Sequence, residues 1–334
     1  MDVNRGAKKG NFYHNTGEGG ISPHHLEGGD LCWQIGTGYF GCRNEEGNFD
    51  AELFTKYSNL DNVKMIEIKL SQGAKPGHGG VLPAVKNTPE IAKIRHVPPG
   101  VTILSPPSHS AFSDAEGLLR FVQQLRELSG GKPVGFKLCI GDTKEFEDIC
   151  EQMNILNIYP DFITIDGAEG GTGAAPPEFS DGVGMPLEPA LIFVNRTLIN
   201  YELRDKLRII ASGKVLTSLD ILRAVAMGAD LCNNARGFMF SLGCIQALRC
   251  NTNTCPTGVA TQDKMLIKGL DTNDKTERVY QFHKNTLHTC NELIAAAGRE
   301  SYDQVDASMF MRGDEFEHLS DLYFPDILEN VRKR

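Results

Sequence analysis

The chain has 334 residues, of which 40% are hydrophobic and 23% charged, and its formal net charge is −9. An acidic chain of this kind lacks the basic surface that a general nucleic-acid binder needs to displace counterions from phosphates. No apolar run approaches the roughly 20 residues of a membrane-spanning helix, and residues 1–20 lack the apolar stretch of a signal peptide, so we expect a cytoplasmic protein without a membrane segment.

The first forty residues combine short candidate elements with glycine-rich turns. Residues 1–10 form a polar segment that ends at Gly10 as a helix would, and residues 11–15 are a candidate strand. Three glycines surround Glu18, a pattern that forms a tight turn or lets the backbone approach a ligand closely. Residues 28–41 contain five more glycines and the single tryptophan, and such a segment predicts loops around a site.

From residue 63 onward, apolar strands alternate with amphipathic helices. Because the strands are apolar on both faces, this alternation predicts a parallel sheet covered by helices. Together with residues 11–15, the pattern predicts seven strands. The other predicted strands are 63–70, 101–105, 134–138, 162–166, 207–211 and 229–233, and the helices are 114–129, 143–156, 188–204 and 218–227.

Glycine or charged residues follow the carboxyl end of nearly every predicted strand. The active site of a (β/α)8 barrel is built from all of its strand-to-helix loops, whereas an open doubly wound sheet concentrates ligands at one crevice. The distribution therefore favours an α/β fold of the TIM-barrel type, and the length fits a barrel of about 250 residues with additions. Two consecutive loops, 212–214 and 234–237, suit phosphate binding, although both also suit ordinary turns and caps.

Three of the nine cysteines, Cys244, Cys250 and Cys255, are separated by five and then four residues. In a chain without signs of export, a thiolate-bound metal centre explains this spacing better than disulfides do. Three thiolates suit an iron–sulfur cluster in which each iron takes one. Three unrelated buried thiols are the alternative, and zinc is less favoured because a fourth ligand would have to reach back from His283 or His288.

The C-terminal part carries less information. Residues 275–297 predict an outer helix, and residues 300–334 predict a charged tail or an oligomer contact without an assigned role. We therefore divide the chain into residues 1–262, a barrel with the iron–sulfur loop 244–255, and residues 263–334, a helical extension that packs on the barrel.

Six sequence motifs carry a resemblance to a known family. They are Asn15-Thr-Gly-Glu-Gly-Gly20, Gln72-Gly-Ala-Lys-Pro-Gly77, Ser105-Pro-Pro107, Lys137-Leu138, residues 166–176, and the three cysteines with Pro-Thr-Gly-Val-Ala-Thr-Gln262. Together they resemble the FMN-binding synthase domain of glutamate synthase, and in particular the stand-alone FMN-binding glutamate synthase family, over roughly residues 5–262. The resemblance implies a (β/α)8 barrel that carries FMN and a 3Fe-4S cluster on Cys244, Cys250 and Cys255, and an oxidoreductase that converts ammonia and 2-oxoglutarate to glutamate.

The resemblance also implies roles for individual residues. Lys137 would lie beside the flavin and the oxo acid as a catalytic residue, with Glu18 near it. Lys69 and Lys75 would bind substrate, although both could instead pair with Glu67 or Glu18. The remaining implied substrate-binding residues are Gly170, Gly171, Thr172 and Gly173, and the implied cofactor-binding residues are Lys137, Ser212, Gly213, Lys214, Gly228, Ala235 and Arg236.

Two departures from the family pattern shape the expected partners. The family's first strand should lie upstream of Met1, so we expect a barrel that lacks this strand unless a partner chain completes it. The chain carries no amidotransferase domain, so ammonia would come from solution or a partner, and electrons would come from a ferredoxin or a reductase subunit. The alternatives are a subunit like methylamine-glutamate methyltransferase and a catalytically silent fragment that binds a partner.

Overall fold

Seven parallel strands form one sheet in the computed structural model, which describes residues 1–171, 175–176, 178–180 and 182–310. The strands of this sheet lie in the order β1-β2-β3-β6-β7-β8-β9, and β4 and β5 pair separately. The strands are β1 (His14–Asn15), β2 (Leu31–Ile35), β3 (Val63–Lys69), β4 (Val81–Leu82), β5 (Ile103–Leu104), β6 (Val134–Leu138), β7 (Phe162–Asp166), β8 (Arg208–Ser212) and β9 (Leu231–Asn233).

Helices connect and cover most of these strands, as the alternating pattern predicted. The main outer helices have an N-cap side chain in most cases; Asp114 caps α4 and Asp142 caps α5. The helices are α1 (Asp2–Gly10), α2 (Ala51–Ser58), α3 (Pro89–Arg95), α4 (Ala115–Leu128), α5 (Thr143–Leu156), α6 (Leu187–Asn200), α7 (Ser218–Ala226), α8 (Arg236–Ser241), α9 (Lys264–Ile267) and α10 (Thr272–Ala296).

One predicted strand does not belong to the sheet, and one sheet strand was not predicted. Residues 101–105 were expected in the barrel, but Ile103–Leu104 pairs antiparallel with Val81–Leu82 outside it. These two short strands lie at the surface and not in the buried sheet: Leu104 is 68% exposed and Val81 is 55% exposed. The missed strand is β2, which is buried throughout and lies between β1 and β3.

The two edge strands, β1 and β9, approach each other without pairing. The Tyr13 hydroxyl donates a hydrogen bond of 2.6 Å to Asn233 Oδ1 across this gap. Outside it, the Phe12 ring stacks on Phe238 at 5.2 Å and on His283 at 4.2 Å. Side chains thus bridge the position between β1 and β9, which limits the exposure of the two edges.

The sheet separates a large outer core from a small inner one. The outer residues of the strands, such as Trp33, Ile66 and Phe136, are fully buried against the helices. Inside, Cys32 and Phe162 pack with residues of β3, β8 and the segment before β1. Two-sided burial explains the nearly continuous apolar character of these strands.

The C-terminal helix α10 packs against other helices of the barrel. It contacts α1, α7 and α8, and Cys290 and Ile294 join Leu222 of α7 in a separate apolar cluster. Residues 311–334 lie outside the described part of the chain. Among the helices described, none is long and apolar enough to cross a bilayer.

Helix α7 begins with a reciprocal cap that offers a test of local stability. The Thr217 hydroxyl accepts a hydrogen bond from Asp220 N, and the Asp220 carboxylate accepts one from Thr217 N. Thr217→Ala should therefore lower the free energy of unfolding by about 1 kcal/mol, measured by urea denaturation. Thr217→Ser retains the hydroxyl and serves as the control; equal destabilisation by both substitutions would contradict the capping role.

Candidate active site

Polar side chains lie at the carboxyl ends of four neighbouring strands of the sheet. Lys69 of β3 lies opposite Lys137 of β6, and Asp166 of β7 lies opposite Ser212 of β8. Because all four strands are parallel, their carboxyl ends meet at the same face of the barrel. This face is called the mouth below.

An ion pair of Lys137 and Asp166 occupies the centre of the mouth. The Lys137 Nζ lies 3.3 Å from Asp166 Oδ2, and the two side chains are only 16% and 4% exposed. Asp166 also accepts hydrogen bonds from Ser212 Oγ at 2.7 Å and from Gly73 N at 2.9 Å. The carboxylate is therefore satisfied on both oxygens, as a buried charge requires.

The surroundings keep both members of this pair charged. Burial alone would neutralise them, but Asp166 and the carboxylates of Glu67 and Glu18 outweigh burial and raise the pKa of Lys137. Burial also opposes ionisation of Asp166, and the nearby Lys137 together with two hydrogen-bond donors overcomes it and lowers the pKa of Asp166. The mouth therefore holds a permanently charged lysine at neutral pH.

A second ion pair lies beside the first. Lys69 Nζ donates to Glu18 Oε2 at 2.7 Å and to Gln72 Oε1 at 2.6 Å, so Lys69 pairs with Glu18 and not with Glu67. Burial disfavours the Glu18 carboxylate, but Lys69, Arg95 and the more distant Lys75 lower the pKa of Glu18.

A cavity that is open to solvent lies next to this second pair. Its walls include Glu18, Lys69, Gln72, residues 77–80 and residues 106–107. The buried amide nitrogen of Gln72 has no hydrogen-bond partner in the described part of the chain. A donor of this kind beside a lysine suits a ligand with an oxygen acceptor.

Two further cations lie near the Glu18 carboxylate. Lys75 Nζ donates to the carbonyl oxygen of Gly79 at 3.0 Å, and burial lowers the pKa of Lys75. The Arg95 guanidinium stacks on the Phe40 ring at 4.7 Å. Burial lowers the pKa of Arg95, and the Glu18 carboxylate offsets only part of this shift. Arg95 was not among the predicted site residues.

Below the mouth, Glu67 is buried in the barrel interior. Its carboxylate accepts hydrogen bonds from Asn15 Nδ2 at 2.9 Å, Gln34 Nε2 at 2.6 Å and Thr164 Oγ1 at 2.5 Å. Thr164 in turn lies opposite Lys137 in the sheet. The polar network therefore extends from the mouth into the interior across β1, β2, β3 and β7.

The glycines after β7 bring three loops into direct contact. A Cβ atom on Gly170 would lie 2.9 Å from the Cα of Gly213, and one on Gly171 would lie 2.0 Å from the Cβ of Ala74. These two predicted substrate-binding residues thus pack against the loops after β3 and β8. The other two, Thr172 and Gly173, lie outside the described residues.

The predicted cofactor-binding residues divide between the two ends of the barrel. Ser212 is the last residue of β8, Gly213 and Lys214 follow it, and Ala235 and Arg236 follow the adjacent strand β9, so both groups lie at the mouth. Gly228 instead precedes β9. Its carbonyl oxygen accepts a hydrogen bond from Arg204, which precedes β8, so Gly228 lies at the opposite end of these strands from the mouth.

Hydrogen bonds hold the loop that carries the three cysteines. Lys86 donates to the carbonyl oxygens of Cys250 at 2.8 Å and Ala260 at 3.3 Å. The Cys244 sulfur accepts from the backbone N–H of Gln246 at 3.5 Å. No group of three or more His, Cys, Asp or Glu side chains in the described ranges is arranged to hold a single metal ion.

The Cys255 sulfur has the surroundings of a thiolate. Burial raises its pKa, but hydrogen bonds from the Thr257 side chain and from backbone N–H groups, including that of Ala260, outweigh burial and lower the pKa of Cys255. Donors directed at sulfur stabilise the deprotonated form that binds metals. The donor set of this cysteine is therefore compatible with a thiolate-ligated cluster.

Known proteins resemble this chain over most of its length. A family profile described as "Conserved region in glutamate synthase" matches residues 3–300. The chain belongs to the glutamate synthase family. It is 47% identical over 293 residues to "Glutamate synthase large subunit-like protein YerD" of Bacillus subtilis (strain 168), covering 87% of this chain and 55% of that protein.

A second member of the glutamate synthase family gives the same picture. The chain is 35% identical over 303 residues to "Archaeal glutamate synthase [NADPH]" of Methanocaldococcus jannaschii, covering 90% of this chain and 56% of that protein. The chain thus spans a little over half the length of these relatives.

Solved structures support the fold of this glutamate synthase family chain. A mandelate oxidase mutant with benzaldehyde aligns with a TM-score of 0.53 at 16% identity, covering 91% of this chain and 71% of that one. A flavocytochrome b2 mutant with benzoylformate aligns with a TM-score of 0.54 at 15% identity, covering 91% and 62%. The prediction of an α/β fold of the TIM-barrel type is confirmed.

Proposed function

We propose that this chain carries the reductive-amination site of a glutamate synthase-type oxidoreductase, which converts 2-oxoglutarate and ammonia to glutamate. The single observation that carries the proposal is the mouth of the barrel, where Lys137, Lys69 and Lys75 converge beside Glu18. In this reaction ammonia adds to the ketone carbon and water leaves to give an imine. Hydride addition at carbon and a proton at nitrogen then give the amino acid.

The charges of the mouth suit a dianionic substrate. Lys69 lines the cavity beside Glu18, and Lys75 and Arg95 lie near the same Glu18 carboxylate. Because each ammonium or guanidinium group is partly withdrawn from water, its attraction for a carboxylate is stronger than on an open surface. The Gln72 amide nitrogen, which has no hydrogen-bond partner among the described residues, adds a neutral donor that can orient the substrate.

Glu18 and Lys137 have complementary proposed roles. Glu18 stays ionised beside Lys69 and can attract an incoming ammonium ion by its charge. The ammonium ion loses its proton to water before the neutral amine attacks the ketone. Lys137 stays charged and can hold negative charge that develops on neighbouring groups.

The residues at the mouth also fit FMN. Lys137 would lie beside the ring system, and Ser212, Gly213, Lys214, Ala235 and Arg236 would hold the phosphate from two adjacent loops. Bound FMN would supply the hydride for the substrate carbon. We further propose that Cys244, Cys250 and Cys255 hold a 3Fe-4S cluster, which would carry single electrons from a ferredoxin or reductase subunit.

The test is the anaerobic reoxidation of chemically reduced, FMN-loaded protein. We expect 2-oxoglutarate with ammonium to reoxidise the flavin and to form glutamate, whereas either compound alone does neither. Iron analysis should find about three irons per chain, and Cys255→Ser should lower the iron content while Cys232→Ser, outside the loop, leaves it unchanged.

Three results would count against this assignment. If the flavin binds and is reduced but no oxo acid reoxidises it, the reductive-amination reaction is wrong. Turnover with methylamine and glutamate in place of ammonia and 2-oxoglutarate would instead support a methyltransferase-like subunit. A protein that binds neither flavin nor iron would support a catalytically silent chain that binds a partner and completes its barrel there.

A further inference from the structure

His109 does not line the cavity, but its side chain contacts the backbone of Lys69 at the end of β3. It follows β5, and its side chain is buried with both ring nitrogens engaged. Nε2 lies 2.9 Å from the carbonyl oxygen of Lys69, and Nδ1 lies 3.0 Å from the Tyr39 hydroxyl. The ring therefore connects the loops after β2 and β5 to the end of β3.

The contacts of Tyr39 fix the direction of these hydrogen bonds. The Tyr39 hydroxyl oxygen accepts a hydrogen bond from the backbone N–H of Ala111 at 3.1 Å. Its own hydrogen is then available for His109 Nδ1, so Nε2 carries the imidazole proton and donates it to the Lys69 carbonyl oxygen. Burial lowers the pKa of His109, which agrees with a neutral ring.

Packing holds the two rings rigidly. His109 stacks on Phe112 with a centroid distance of 4.9 Å and an interplanar angle of 19°, and it meets Tyr39 edge to face at 5.3 Å. Tyr39 is fully buried and adopts a positive φ of 48°. A bulky residue adopts this conformation only where its surroundings compensate the strain.

The bond from His109 acts at the point where β3 ends. The backbone N–H groups of Leu70 and Ser71 both turn to the carbonyl oxygen of Lys137, at 2.9 and 3.4 Å, as the chain leaves the sheet. The carbonyl of Lys69 accepts from His109 at this same turn. The Lys69 side chain leaves the strand at this same turn and reaches Glu18.

We propose that His109, oriented by Tyr39, is a positioning residue that fixes the end of β3 and directs Lys69 into the mouth. This inference rests on the proposed function, in which Lys69 binds the oxo acid. His109 does not touch the cavity and acts only through Lys69. Loss of its hydrogen bond should weaken substrate binding more than it slows the chemical step.

A first experiment measures Lys69 directly and needs no substrate. The probe is the rate of reductive methylation of Lys69 in the holoenzyme, followed by mass spectrometry, with the exposed Lys64 as internal reference. His109→Phe keeps an aromatic ring but removes both hydrogen bonds, and we expect it to raise the Lys69 rate at least about 5-fold relative to Lys64. His109→Gln retains an N–H that can reach the Lys69 carbonyl oxygen, so its rate should stay within about 2-fold of the wild type.

A second experiment separates binding from chemistry. With 2-oxoglutarate as the varied substrate, His109→Phe should raise KM about 10-fold while kcat changes less than about 3-fold, and His109→Gln should restore most of the KM. Tyr39→Phe removes only the hydroxyl group and should give an intermediate KM. It is also the variant to measure if His109→Phe does not fold.

The outcomes distinguish this inference from the proposed function. Unchanged Lys69 methylation in His109→Phe, or in Tyr39→Phe if the former does not fold, overturns the positioning role. Equal effects of His109→Phe and His109→Gln also overturn it, because the hydrogen bond would then be irrelevant. If the wild type does not turn over 2-oxoglutarate but the Lys69 rate rises as expected, the proposed function fails and the positioning role stands.

Discussion

Replacing Lys137 with methionine should lower the free energy of unfolding by about 3–5 kcal/mol at neutral pH. Methionine fills much of the volume of lysine but leaves the Asp166 carboxylate buried without its cation. Two hydrogen-bond donors remain on Asp166, from Gly73 and Ser212, and they compensate only part of the lost attraction. Urea denaturation at several pH values measures the effect.

The difference in stability between the wild type and Lys137→Met should depend on pH. In the wild type the folded-state pKa of Asp166 is lowered, so its stabilising contribution is present above the ordinary aspartate pKa and is lost as the pH falls through the folded-state value. Without Lys137, burial dominates and should raise the folded-state pKa of Asp166. The difference in stability between wild type and Lys137→Met should therefore be largest above about pH 5 and shrink in acid.

A double variant supplies the control. Lys137→Met with Asp166→Asn removes both charges, so the uncompensated carboxylate disappears and part of the lost stability should return. If Lys137→Met alone is as stable as the wild type, or if the second substitution adds to the loss, the ion pair is not what holds this part of the barrel. The same single variant should also lose flavin-dependent turnover under the proposed function.

The alternation of strands and helices could be predicted from the sequence because strands buried on both faces of a parallel sheet consist of nearly continuous apolar residues. The prediction failed where the burial of a short strand is not visible in its composition. In β2, Cys32 and Gln34 alternate with apolar residues and glycines flank the strand, whereas residues 101–105 are apolar but border the solvent. Exposure of such a segment depends on tertiary contacts that a local pattern does not contain.

The candidate site shows the same division. Lys69 and Lys137 could both be named as candidate site residues from the sequence, and the register of β3 with β6 places them opposite each other. Arg95 and His109 could not, because one comes from the end of a helix and the other from a loop outside the sheet. The position of Gly228 before β9 could not be predicted either, because a glycine in a turn does not indicate at which end of the barrel that turn lies.

Glu67 is the second position at which a single substitution should have a large effect. Glu67→Leu removes the acceptor for three buried donors, on Asn15, Gln34 and Thr164. Because each unsatisfied buried donor costs about 1–3 kcal/mol, we expect the free energy of unfolding to fall by roughly 3–6 kcal/mol. Urea denaturation at neutral pH provides the measurement.

Glu67→Gln separates hydrogen bonding from charge at this position. The amide keeps an oxygen for Asn15 and Gln34, and the Thr164 hydroxyl can turn to accept from the new N–H group. Only the negative charge is lost, so the stability loss should be clearly smaller than in Glu67→Leu. Since Glu67 helps to raise the pKa of Lys137, that pKa, followed by NMR of 15N-labelled lysine, should fall in Glu67→Gln. Greater destabilisation by glutamine than by leucine, or an unchanged Lys137 titration, would show that the interior carboxylate does not support the ammonium group above it.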